Sequence, residues 1–168
     1  MMAASDSRCR SKQSDRRHMT RRPPPETQGR RPSARGHNQQ VARFKDIVFD
    51  SPRPSAIARF WAAALDEYDV APYDDAEIAR LHSLGIDDLD DDPSVLVERA
   101  DGGRPRIFFQ LVPESKVVKN RVHIDLDSDD PDAEISRLVS LGARVVNEYD
   151  HLTTLADPDG NEFCVTRH

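Results

Sequence analysis

The chain has 168 residues, enough for one ordinary domain and short for two, and carries 30 Asp+Glu against 24 Lys+Arg for a net charge of −6. The charge is split: residues 1–40 hold ten basic and three acidic side chains, residues 41–168 fourteen and twenty-seven. An acidic body excludes nucleic acid as a partner of the folded part, which would need a basic footprint, and no segment approaches the roughly twenty apolar residues of a membrane span.

Residues 1–40, ending "RRPPPETQGRRPSARGHNQQ", read as a disordered basic tail. They are rich in Pro, Arg, Gln and Gly and lack aromatic residues and apolar periodicity, so no burial offsets the entropy of ordering. The tail has no apolar run of a secretory signal. Its Arg- and Ser-rich, acid-poor composition resembles an organelle transit peptide but lacks the amphipathic pattern, and Met19 is an alternative start. Cys9 and Cys164 stand in settings too different for a disulfide framework, so a reducing, cytoplasmic compartment is expected.

From residue 41 the pattern sharpens. "RFKDIVFDSP" alternates like a strand and breaks at Pro52 and Pro54. "PSAIARFWAAAL" follows as a helix, with Ile57, Phe60, Trp61 and Leu65 at helical spacing and Ser51 or Ser55 as its cap. Phe60 and Trp61 are core residues by that spacing. "DEYDVAPY" is a strand, and "DDAEIARLHSLGIDDLDDDP" a short helix running into an acidic loop. That run, Asp87 to Asp92, lacks the spacing of a calcium loop and reads as solvated. "SVLVERA" and "RPRIFFQLV" form a hairpin around Asp101-Gly102-Gly103.

The second half repeats this order: strand "RVHIDLDSDDP", helix "PDAEISRLVSLGA" ended by Gly142, strands "RVVNEYD" and "HLTTLAD", the turn "DPDG" and the strand "NEFCVTR". An offset of 77 lays Ile47 on Ile124, Asp50 on Asp127, Ser51 on Ser128, Pro54 on Pro131 and Ala56 on Ala133. A different offset lays Phe109 on Phe163 and Gln110 on Cys164. The expected fold is α+β: two βαβββ modules in one chain, a cup-shaped mixed sheet with helices outside. Module one covers residues 41–113 and module two residues 119–168.

Side-chain parity then sorts the strands. Ile47 and Phe49, Phe109 and Leu111, Val122, Ile124 and Leu126, and Phe163 and Val165 form the apolar set that packs under helices. The opposite parity carries Asp46, Gln110, His123 and Cys164, with Phe108 as an apolar wall beside Gln110 and Arg121 beside His123. Symmetric pairing of the modules would turn all four onto one concave face.

Three stretches carry a family resemblance: "ARFWAAAL", "FFQLVPESKVVKNRVHIDL" and "LADPDGNEFCV". They resemble the glyoxalase-like proteins of the vicinal oxygen chelate superfamily, which includes bleomycin-resistance proteins and extradiol dioxygenases. The resemblance spans about residues 42–167. It implies paired βαβββ modules with metal ligands on the first and last strand of each, positions that here fall on Asp46, Gln110, His123 and Cys164. Metal-using members generally present His and Glu there, and only His123 conforms. A neutral Gln amide beside a thiolate suits no common catalytic ion, so we expect a cup with no metal and no cofactor.

The expected function is therefore a metal-free, small-molecule-binding protein for a polar or anionic ligand. His123 would be the general acid or base, since its ordinary pKa lies near neutrality, with Asp46 as its carboxylate partner. Gln110, Arg121, Phe108 and Cys164 would contact the ligand. For Arg121 the alternatives are an anion clamp or an ion pair with Asp125. Lys116 and Lys119 read as solvated. Whether the protein is an enzyme stays open at this point. The alternatives are a metal-dependent lyase or dioxygenase using His123, Asp46 and Gln110, and a drug-sequestering resistance protein. A weaker one has the basic tail attach to nucleic acid or an acidic partner. The sequence leaves a homodimer open.

Overall fold

The computed structural model describes residues 43–167, and the expected disordered tail lies outside the described residues. β1 (Asp46–Ser51) ends at Pro52, which cannot donate to a ladder. α1 (Pro54–Ala64) starts on a proline, whose missing N–H is one of the unpaired donors of any helix start. Neither Ser51 nor Ser55 caps it. The N-cap is Arg53; Ser51 Oγ accepts from Arg53 N at 2.9 Å, and Ser55 Oγ donates to Asp90 O at 2.9 Å. β2 (Tyr68–Val70) leads to α2 (Asp75–Ser83), which Asp74 caps by accepting from Glu77 N, and then to a 3-10 turn at Leu89–Asp91. β3 (Ser94–Arg99) and β4 (Arg106–Leu111) pair antiparallel.

In the second module β5 is only Asp125–Leu126, followed by α3 (Pro131–Leu141), β6 (Arg144–Tyr149), β7 (Leu152–Ala156) and β8 (Glu162–Thr166). Gly142 closes α3 at φ 115°, a left-handed conformation that costs glycine little. The sheets run β1-β4-β3-β2 and β5-β8-β7-β6, with a parallel first pair in each. The duplication is thus real in the topology. α1 and α3 each have eleven residues, and both their ends lie 77 apart in sequence. The two four-stranded sheets remain separate, since β1 and β5 are not hydrogen-bonded to each other.

One core serves both modules. Ile57, Phe60, Trp61 and Ala64 of α1 lie on one face and pack with Phe109 of sheet one and Phe163 of sheet two. The Trp61 ring stands 5.2 Å from that of Phe163, edge-on, and 5.7 Å from that of Phe49. The turn expected at "DPDG" welds the halves. Asp157 accepts from Asp159 N (3.0 Å), Asn161 N (2.8 Å) and Trp61 Nε1 (3.1 Å), while Asp159 accepts from Ser51 Oγ and from Arg53 at 3.2 Å. Gly160 takes φ 91° within this turn.

Two expectations need correction. Val122 does not share a buried face with Ile124 and Leu126: those two pack on the core, whereas Val122 is 81% exposed. The strand begins later than its alternation suggests, because residues 112–122 run as a linker between the sheets. Gln110 is also not the counterpart of Cys164. Strand register sets Phe108 level with Val48, and Cys164 level with Asp125, which lies 77 residues after Val48. Cys164 thus matches Phe108, two residues from Gln110, because matching strands by hydrophobicity alone leaves a slip of two invisible.

Candidate functional site

On the open face of sheet two, β5 and β8 set Asp125 level with Cys164, and β7 sets Thr154 level with it from the other side. His123, two residues before Asp125, projects to the same face. Its Nδ1 lies 2.8 Å from Asp125 Oδ1. An ionised carboxylate only accepts, so Nδ1–H donates to Asp125, and in the neutral imidazole Nε2 carries the lone pair. Cys164 is buried, its Sγ 3.6 Å from Thr154 Oγ1. Donor atoms of His123, Asp125 and Cys164 all lie within 4.8 Å of one another.

His123 borders two hollows. One, of about 280 Å³, lies over sheet two and is walled by Tyr149, His151, Leu152, Thr154 and Cys164. The other, of about 800 Å³, opens along the seam between β1 and the linker, with Val48, Val117, Val118 and Val122 among its apolar walls. Lys119, His123 and Glu162 line both. Arg121 lines the seam, and its guanidinium donates to Lys119 O at 3.2 and 3.3 Å. It makes no ion pair with Asp125, which is engaged by His123 instead.

Glu162 fixes the linker. Its Oε2 accepts from Asn120 N (3.0 Å) and pairs with Lys116 Nζ (2.9 Å). Burial pushes its pKa up, but the Asn120 N–H and Lys116 outweigh burial and hold it at about 2. Lys116, expected to be solvated, is therefore part of a tether.

The remaining sequence-derived positions have other partners. Asp46 is not the partner of His123. Arg106, its neighbour on β4, clasps both its oxygens at 2.9 and 3.1 Å and holds its carboxyl below the usual range. Gln110, exposed near the end of β4, lies level with Asp50 and Ser94 and lines neither hollow. Phe108 sits beneath the Arg106 guanidinium, 5.2 Å from its ring centroid, in a cleft of about 650 Å³ between sheet one and α2. Tyr73 borders that cleft and donates to Asp92 at 3.1 Å; burial and then Asp92 push its phenol up to about 12. So the structure joins His123 to Cys164 and leaves Gln110 outside both hollows, while Asp46 lines the seam cavity with His123, its carboxylate held by Arg106.

This bears on the metal that the fold implies. With Asp46 committed to Arg106 and Gln110 outside both hollows, the four strand positions do not make one ligand set. No chemistry is derived through a metal held there. Sequence reading missed Asp125 and Thr154. Asp125 was visible, being two residues from His123 and of the same parity; Thr154 needed the β7–β8 register.

Duplicated βαβββ modules with a polar site at the seam of two open sheets define an α+β cup protein of the vicinal oxygen chelate type. The chain belongs to the glyoxalase-like domain family, whose model matches residues 46–166. Two solved structures share the fold. One is a glyoxalase/bleomycin resistance protein/dioxygenase family enzyme from Burkholderia phytofirmans PsJN, with TM-score 0.51 and 13% identity, covering 74% of this chain and 97% of that one. The other is the fosfomycin resistance protein FosX from Mesorhizobium loti, with TM-score 0.53 and 14% identity, covering 75% and 91%. No curated protein matches the sequence. No helix among the described residues is long and apolar enough to cross a membrane.

Proposed function

We propose that this glyoxalase-like protein binds a small anionic molecule in the seam cavity and that the His123–Asp125 pair exchanges a proton with it. One observation carries the reading: His123 stands where the two hollows meet, its Nδ1 held by Asp125, between two cations, Lys119 and Arg121, that have no carboxylate partner among the described residues. An apolar cavity with a few placed polar groups is the usual form of a small-molecule site. A guanidinium suits a planar or tetrahedral anion, and a lysine beside it adds charge without demanding geometry. With Nδ1–H committed to Asp125, Nε2 is the atom that takes a proton, and Asp125 stabilises the imidazolium formed.

The test follows the imidazole nitrogens of the full chain by NMR during titration with pyruvate, inorganic phosphate and methylphosphonate. Saturable movement of the His123 signals by at least one of them is expected, and its loss in a Lys119→Ala, Arg121→Ala double variant. If none of the three moves those signals at millimolar concentration, or the double variant binds as well as the parent, the site is wrongly assigned.

A further inference from the structure

We propose that the cleft between sheet one and α2 binds a planar organic cation of the amidinium or guanidinium class, with Glu98 as its counter-ion and Phe108 as the ring it lies against. The site belongs to the first module and is independent of the anion reading. This cleft of about 650 Å³ shares no lining residue with the seam cavity or the smaller hollow.

Strand register sets the floor. β3 and β4 place Leu96 level with Phe108, on the face of sheet one away from the core, and Glu98 follows Leu96 by two residues and so shares its face. Val95, Val97, Ile107 and Phe109, of the other parity, are buried. α2 walls one side with Ala76, Glu77 and Arg80, after the segment of Ala71, Pro72 and Tyr73.

Charge then selects the ligand. Four carboxylates, Asp74, Glu77, Asp92 and Glu98, line the cleft against one guanidinium, that of Arg80. Three of the four are committed inside the protein. Asp74 caps α2, Glu77 holds Arg80 at 2.6 Å, and buried Asp92 accepts from Tyr73 Oη at 3.1 Å and Ser94 N at 2.9 Å. Glu98 differs: half-buried, it makes no hydrogen bond or ion pair among the described residues. Arg106, the cation that acts on it, is clasped on Asp46 through Nε and Nη2. A half-buried carboxylate without a donor has lost hydration with no replacement, and a ligand bearing two parallel N–H groups supplies one. The Phe108 ring already takes a group of this shape, since the Arg106 guanidinium rests 5.2 Å from its centroid. Leu96, Pro72 and Ala76 accept an apolar body, so the cleft has the apolar lining and few placed polar groups of a small-molecule site.

The experiment titrates the full chain with benzamidine and with its uncharged isostere benzamide, followed by calorimetry and by the methyl NMR signals of Leu96 and Ala76. Benzamidine is expected to move those signals saturably and to bind about tenfold or more tighter than benzamide. Glu98→Gln should bring benzamidine down to the level of benzamide. Glu98 receives no donor from the protein, so that replacement strands nothing and the fold is not at stake. Phe108→Leu should weaken benzamidine more than benzamide. Asp50→Asn, which alters a carboxylate on the seam cavity, should leave both ligands unaffected. Absence of saturable binding at millimolar benzamidine, equal affinity for benzamide, a Glu98→Gln variant that binds as the parent does, or a loss in Asp50→Asn would each overturn the proposal.

Discussion

Exposure decides what a substitution at each carboxylate reports. His123 and Asp125 are 44% and 54% exposed, and an ion pair so open to water is worth about 0–1 kcal/mol. His123→Gln should therefore leave the melting temperature almost unchanged while abolishing the anion-dependent response, and a collapse in thermal stability would mark the histidine as structural. Asp157 is the opposite case. It is 4% exposed and accepts from two backbone amides, the Asn161 side chain and the Trp61 indole. Asp157→Ala strands these donors, including the indole N–H in the core, at a cost of about 3 kcal/mol. Chemical denaturation would show it, and a loss below about 1 kcal/mol would mean that water replaces the carboxylate.

At the scale of elements, the linker of residues 112–122 is held to β8 by Glu162, and that tether is pH-dependent. The folded pKa of Glu162 lies at about 2, below the ordinary 4.5. Its contribution is complete above pH 4.5 and is lost as pH falls towards about 2. The stability gap between the parent and Glu162→Gln should accordingly narrow through that window, and a gap constant with pH would disprove the tether. Asp157 has the contrary sign, because burial raises its pKa: its term favours the fold at low pH and fades as pH rises through the folded pKa. α2, with the 3-10 turn after it, is without a counterpart among the described residues of module two. It walls the cleft around Phe108, leaving that ring away from the seam where the sequence had set it.

For the whole molecule, Trp61 is the chain's only tryptophan and lies where the two modules share a core. Its fluorescence therefore reports on the seam, while far-ultraviolet circular dichroism reports on all helices and strands. The two signals should unfold in one coincident transition, because neither module can bury its sheet without α1 and the Asp157 turn. Separate midpoints would show that the modules are independent units.

The sequence by itself determined the modules, their element order, the helix positions and the apolar face of most strands. Those follow from local periodicity and from breakers such as Pro54 and Gly142, which act within a few residues. It also marked His123, since parity needs nothing beyond the strand. Partners were decided by tertiary structure. Which carboxylate meets His123, whether Asp46 is free, and whether Cys164 corresponds to Gln110 or Phe108 all depend on strand register and on the path of a linker. A two-residue slip preserves every hydrophobic pattern, so no local signal distinguishes the alternatives. The backbone ladders resolve it, holding Asp46 to Arg106 and bringing Asp125 beside Cys164.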